Sequence, residues 1–373
     1  MRVLIAPDKF KGSLSAVDVA AALAAGLRQG APTLELRSIP LADGGEGTAA
    51  ILREAVGGSF VDVDAHDAIG RPIRARYVIA QRDKQRTAYI DMSEASGLWR
   101  IDVDDRDPLR ASTFGTGELL RHAIVESGAD VVVMGLGGSA TSDGGLGVAR
   151  ALGYAFVDVD GAAIDVPAQL RSLDHIEPPA APWWREGVRV VVASDVRNPL
   201  LGPRGATEIY GPQKGLTQAS DRAALEAALE RFADVVAAFC GIDHRETPGA
   251  GAAGGLGFGL LSFVGAELRS GFHVVAAAVQ LEAAVAWADV VVTGEGHLDA
   301  QTLEGKTAFG VATLARKLGR KTVAFAGGVD VDVLPDLLRV FDAVIELEGD
   351  HAQRMAGARD LLTTSAERFA RTL

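Results

Sequence analysis

Cysteine is nearly missing. Cys240 is the single one in 373 residues, which excludes an internal disulfide and any cysteine-cluster metal site. It lies in Ala237-Ala-Phe-Cys240, at an expected helix end, where a thiol is by default a buried packing group. No apolar run reaches transmembrane length without a charge, and Met1-Arg-Val-Leu-Ile-Ala-Pro7 is too short in apolar residues for a signal peptide. The expected location is therefore the cytoplasm, with no membrane partner. Basic blocks are absent too. With 37 Lys+Arg against 49 Asp+Glu, a net charge of −12, nucleic acid is excluded as an expected partner. There is no G-x-x-x-x-G-K-[ST] loop, no protein-kinase glycine loop and no G-x-G-x-x-G at the first βα turn. A Walker ATPase and a protein kinase are thereby set aside, and a dehydrogenase is disfavoured. Low-complexity segments and a regular repeat period are also lacking.

What is present is an ordinary globular composition, 48% hydrophobic and 23% charged, in a chain long enough for two domains. An acidic protein that handles anions must gather its few cations at the site, so clustered lysines carry weight. Val131 to Met134 is an apolar run suited to a strand buried on both faces, and it breaks into Gly137, Gly138, Ser139, Ala140 and Thr141. The pattern then resumes as a small-residue helix through Val148, Ala149 and Leu152. Read as strand, glycine turn and helix N-terminus, the stretch is expected to present free amides, a helix dipole and the Ser139, Thr141 and Ser142 hydroxyls to an anion.

Similar units recur. Val3–Ala6 reads as a strand that ends at Pro7-Asp8-Lys9-Phe10-Lys11-Gly12-Ser13, with Ser15 capping the next helix. Leu34–Ile39 ends at Asp43-Gly-Gly-Glu46-Gly-Thr48, where Asp43 suits Mg²⁺ or a substrate hydroxyl and Glu46 suits a helix cap. From Ser59 to Met92 the pattern alternates, as in antiparallel strands with turns at 68–72 and 81–84. That switch marks an inserted domain beginning near residue 60.

Val188–Ala193 reads as a buried strand ending at Asp195 and Asn198, and Tyr210–Gly215 as a turn holding Gln213 and Lys214. The glycine-dense run Pro248–Gly257 precedes an apolar helix expected over Phe258–Leu268. It reads as a phosphate loop or as close helix packing. In the last third, Ala288–Thr293 ends at Glu295-Gly-His297-Leu-Asp299, before Thr302, Gly305 and Lys306. His297 fits a hydrogen-bonded surface residue better than a base.

Strand after strand thus ends in glycine with a carboxylate or lysine: Asp8, Asp43, Gly137, Asp195, Glu295 and Gly327. In an open α/β sheet these ends share one edge, where ligands bind. The fold expected is α/β, a Rossmann-like parallel-sheet domain (1–60 plus about 270–373) with a second mixed α/β domain (about 61–269) inserted into it. Lysines and amides for phosphate, a carboxylate for Mg²⁺ and another for the acceptor's proton are what phosphoryl transfer needs. The residues read as those of a Mg²⁺-dependent small-molecule kinase.

Ala6-Pro-Asp-Lys-Phe-Lys-Gly-Ser-Leu-Ser15, Ala42–Thr48 and Gly137–Gly145 resemble signatures of the bacterial glycerate kinase type I family. So do Asp195–Pro199, Gly211–Gly215, Pro248–Gly255 and Thr293 through Lys306, in the family's order and over nearly the whole chain. The resemblance implies ATP-dependent phosphorylation of D-glycerate, most often giving 2-phosphoglycerate, with 3-phosphoglycerate the alternative product. It also implies two α/β domains with the site in the cleft between them. The expected assembly is a monomer or a homodimer.

Lys9 stands where many relatives have Ser, Ser142 where Asn is common, and Thr307-Ala-Phe309 where a Pro-containing turn is usual. The expected roles follow. Gly137, Gly138, Ser139, Thr141 and Lys214 hold ATP phosphates. Lys9 or Lys11 binds the glycerate carboxylate or the transferring phosphoryl group. Asp195 is the candidate base and Asp43 the candidate Mg²⁺ contact, roles these two could exchange. Asp8, Ser13, Asn198, Glu295, Asp299 and Lys306 complete the expected binding set. A hydroxy-acid dehydrogenase and a non-catalytic phosphometabolite-binding regulator are the alternatives.

Overall fold

The computed structural model describes residues 1–82, 84–180, 186–303 and 305–373. The apolar run after Met1 forms β1 (Arg2–Ile5), and β2 (Glu35–Ser38) pairs beside it in parallel. Between them the helix Ala16–Gly30 is capped by Ser15, whose hydroxyl accepts the Asp18 N–H at 3.1 Å. The alternating segment becomes β3 (Ser59–His66), β4 (Pro72–Arg82) and β5 (Gln85–Asp91). Of the turn expected between the last two, Asp83 lies outside the described residues. Then come β6 (Val131–Gly135), β7 (Ala155–Asp158), β8 (Leu173–Glu177), β9 (Arg189–Ala193) and β10 (Glu267–Arg269). The chain closes with β11 (Val290–Glu295), β12 (Lys321–Ala326) and β13 (Ala343–Glu346).

Two compact units result, one made of 1–43 with 272–373, the other of 44–271. The first carries an all-parallel sheet in the order β13-β12-β11-β1-β2. Val3, Ile5, Val290, Val292, Val323 and Phe325 are buried in it against the helices Ala16–Gly30 and His351–Ala370. The second unit's main sheet runs β10-β9-β6-β5-β4-β3. It is parallel from β10 to β5 and antiparallel through β4 and β3, so the meander is an extension of a parallel sheet. The α/β class and the parallel-plus-mixed pairing are as expected.

Three local readings are corrected. The helix expected over Phe258–Leu268 ends at Val264, and Glu267–Arg269 pairs with β9 as an edge strand. The helix after β6 begins at Leu146, well beyond the Gly137–Thr141 turn. The strand ends do not share one edge: Asp8, Asp43 and Gly327 follow strands of the first sheet and Glu295 ends one, while Gly137 and Asp195 follow strands of the second. Among the described residues, no helix is long and apolar enough to cross a membrane.

Candidate active site

In the first unit the sheet order reverses between β1 and β11, so the loops leaving these neighbours diverge and open a crevice at the strands' carboxyl ends. A cavity of about 740 Å³ lies there, lined by Asp8, Lys9, Lys11, Ser13, Asp43, Glu295, Asp299 and Lys306 among others. These eight are the catalytic, binding and metal residues expected from this part of the chain.

The loop after β1 is held by its own backbone. Phe10 and Leu14 exchange hydrogen bonds at 2.9 and 3.0 Å, and Phe10 is buried beneath them. The Ser13 hydroxyl donates to the Phe10 carbonyl at 3.2 Å and so also serves the loop. Asp8 is buried at its base. One carboxylate oxygen accepts the Lys9 N–H and the other the Thr307 hydroxyl, each at 2.7 Å. Burial first, and then the charge of Asp43, push the Asp8 carboxyl up to about 7. Across the crevice, Lys306 lies 3.1 Å from Glu295 and 3.3 Å from Asp299. Burial raises the Glu295 pKa despite Lys306. Burial opposes the Lys306 charge, but Glu295 and Asp299 outweigh it and hold the ammonium protonated above its usual range.

In the second unit, Lys214 is only 2% exposed. Its Nζ donates to the Ser139 hydroxyl at 2.8 Å and to the Thr141 carbonyl at 2.5 Å. Burial, opposed by Asp143, drives its pKa down to about 7. The Thr141 and Ser142 hydroxyls are buried and find no hydrogen-bond partner among the described residues. The Gly137–Thr141 backbone is partly engaged, with the Ala140 N–H on Ser96 and the Gly138 carbonyl accepting from Leu98.

The helix start expected to face an anion is closed by the chain itself. Buried Asp143 accepts the N–H groups of Thr113, Gly145 and Gly147 at 2.8 to 3.0 Å, together with the Thr113 hydroxyl. A carboxylate in a run of glycines reads as loop, and nothing in its spacing signals this role. Glu46 is likewise not the cap of the helix Thr48–Val56. Asp91, from the end of β5, accepts the Gly47 and Ala49 amides at 3.0 and 3.1 Å.

Asp195 accepts the Gly271 N–H at 3.0 Å. Asn198 donates to the Arg204 carbonyl and accepts from the Tyr210 hydroxyl, which makes it a loop tie. His297 bonds Asp330 at 2.8 Å with both side chains about half exposed, in keeping with a surface role. The glycine run 248–257 packs rather than cradles. Gly254 has φ +68°, and a Cβ there would stand 2.0 Å from the Thr141 carbonyl oxygen. A second cavity of about 710 Å³ in this unit is lined by none of the candidate catalytic or binding residues. Two of its arginines are already paired, Arg71 with Asp67 and Arg150 with Asp165.

Among the described residues, no group of three or more His, Cys, Asp or Glu is arranged to hold a metal ion by itself. A magnesium ion that travels with phosphates needs only one or two protein carboxylates. Asp8 and Asp43 lie close enough for the charge of Asp43 to be felt at the Asp8 carboxyl, and two such neighbouring carboxylates are of the type that would fit this requirement.

The profile of the glycerate kinase family matches residues 3–373. A glycerate kinase of Bacillus subtilis (strain 168) is 42% identical over 89% of this chain and 86% of its own. The glycerate 2-kinase of Escherichia coli K12 is 38% identical over 100% of this chain and 98% of its own. A crystal structure from Salmonella typhimurium LT2, assigned as glycerate kinase 2, superposes with TM-score 0.85 at 37% identity, covering 100% of this chain and 96% of that one. Kinase is the activity in these names, and neither alternative reading, dehydrogenase or regulator, is retained. A parallel sheet whose carboxyl edge gathers lysines and acids, and a likeness that runs the length of the chain, agree: the chain belongs to the glycerate kinase family.

Proposed function

We propose that this glycerate kinase transfers the γ-phosphoryl group of ATP to the 2-hydroxyl of D-glycerate, giving 2-phosphoglycerate and ADP. The observation that carries the reading is the meeting of Lys9, Lys11, Lys306, Asp8, Asp43 and Glu295 around one cavity at the sheet's switch point. The choice of the 2-hydroxyl is supported by the relative named glycerate 2-kinase.

The hydroxyl oxygen bonds to the γ-phosphorus as the bond from that phosphorus to the bridging oxygen breaks, and ADP leaves with the electron pair. The hydroxyl proton goes to a carboxylate, for which Asp195 is proposed. Lys9 and Lys11 supply charge to the transferring group or to the glycerate carboxylate. Lys306 is held by Glu295 and Asp299, which keep it charged and fix its position. Asp43, with Asp8, would hold Mg²⁺, whose charge offsets that of the phosphoryl oxygens. In the second unit, Ser139 is the proposed phosphate-facing hydroxyl, and Lys214, which bonds that hydroxyl and the Thr141 carbonyl, supports the turn from below.

ADP release from ATP plus D-glycerate, followed by phosphorus NMR of the product, tests this directly. The expected product is 2-phosphoglycerate, formed only with magnesium present. Release of 3-phosphoglycerate would overturn the regiochemistry, and turnover undiminished by chelation would overturn the metal.

A further inference from the structure

Glycerate is a three-carbon acid, and a cavity of about 740 Å³ is of the size that takes far larger ligands. Its two ends differ in chemistry. The inner end holds Asp8, Asp43, Glu295 and Lys306. The outer end is built by the loops after β11, β12 and β13 and by the start of the helix His351–Ala370, and it presents His297, Val329, His351 and Met355.

The acids of the outer end are already engaged. Glu346 pairs with Arg354, Asp330 with His297, and Asp350 caps its helix by accepting the Gln353 N–H at 2.9 Å. Arg354 also donates to the Gly327 carbonyl at 2.9 Å and the Gly349 carbonyl at 2.7 Å, which fixes two strand-end loops as one wall. Met355 is 38% exposed on that wall. Its Cε lies 3.0 Å from where a Cβ on Gly12 would stand, so the thioether reaches the lysine-bearing loop after β1. A fixed wall with a soft thioether and imidazole rings next to lysines matches a ligand with a flat, apolar end and a polyanionic tail.

We infer that the outer end of this cavity seats the purine base of the nucleotide against Met355 and His297, with the polyphosphate running inward to Lys9 and Lys11. This rests on the proposed use of ATP. It adds a location and a direction for the nucleotide.

Photolabelling of the full chain with 8-azido-ATP, read by peptide mass mapping, tests the seat without turnover. The label is expected within 327–329 or 351–355 and is competed by ATP. Label confined to residues outside these two stretches, such as 137–141, overturns the inference. A chain that labels at the expected place but fails to phosphorylate glycerate counts against the reaction and leaves the seat standing. Kinetics supply a second reading. Met355→Ala should raise KM for ATP about tenfold, while KM for glycerate moves less than about twofold. Inhibition by inorganic tripolyphosphate, which has no base, should be unaffected. Met355→Leu, which keeps the apolar volume, should restore the ATP value. Parallel weakening of ATP and tripolyphosphate in Met355→Ala would place Met355 outside any base seat and overturn the inference.

Discussion

Lys214 joins hydrogen bonding, burial and pH at one residue. A neutral amine has two N–H groups, matching its two acceptors, the Ser139 hydroxyl and the Thr141 carbonyl. The third proton of an ammonium finds no acceptor among the described residues, so burial wins over the attraction of Asp143 and the pKa falls to about 7. The sign for stability follows from linkage. The unfolded lysine holds its proton up to about pH 10 while the folded one gives it up near 7, so the unfolded state binds more protons in that window. Stability therefore rises with pH between about 7 and 10 and levels off below 7. Lys214→Met removes the titration. In urea unfolding from about pH 6.5 to 9.5, wild type should gain on the order of a few kcal/mol relative to Lys214→Met. A difference that stays constant with pH would show that Lys214 keeps its proton in the folded chain. Lys214 is visible in the sequence as a lysine between glycines. Its burial is not, because that depends on the distant 139–142 loop closing over it.

At the scale of elements, Gly254 shows why the second glycine run exists. Its neighbours Ala253 and Gly255 also have positive φ, so three consecutive residues turn the chain sharply before the helix proceeds through Leu256 and Phe258. The turn sets the Gly254 backbone against Thr141, and the Gly254 carbonyl accepts the Gly144 N–H at 3.1 Å. A side chain at 254 must displace the 141–142 backbone as well as adopt a strained φ. Gly254→Ala should cost roughly 3 kcal/mol or more in chemical unfolding, well above the roughly 1 kcal/mol of an ordinary helix-end substitution. A loss near that smaller figure would mean the two loops move apart freely.

Elements whose identity is local are legible in the sequence: β1, β6 and β11 as apolar runs, Ser15 as a cap, the 59–91 meander by its alternation. Elements set by distant partners are hidden. Glu267–Arg269 is a short strand only because β9 lies beside it. The start of the 146–151 helix is misplaced by a local reading because Asp143, which fixes it, bonds the distant Thr113. The same division runs through the candidate site. Asp8, Lys9, Lys11, Asp43, Glu295 and Lys306 can be named because strand ends in one sheet face one way. Arg354 cannot, since it enters the cavity from a polar helix with no motif and acts on backbone carbonyls.

For the whole molecule, the division of the chain into a continuous and a discontinuous unit has a kinetic consequence. Pairing β1 with β11 joins Val3 to Val290, whereas pairing β5 with β6 joins Thr87 to Val131 and β6 with β9 joins Val131 to Arg189. Loop-closure entropy alone makes the first pairing about 1.5 kcal/mol less favourable from the unfolded chain than the other two. The 44–271 segment has its own buried clusters, in which Ile90, Val132, Val192, Leu229 and Phe232 take part, so it can gain burial before the first sheet closes. Once it is folded, the segment between β2 and β11 is no longer a free coil, and the remaining search is shorter. Pulse-labelled hydrogen exchange during refolding should therefore protect the amides of Val132, Val133 and Val191 before those of Leu4 and Ile5 in β1 and of Val291 and Val292 in β11. Protection of the β1–β11 amides first, or of both sets in one phase, would show that the first sheet forms without waiting for the inserted segment.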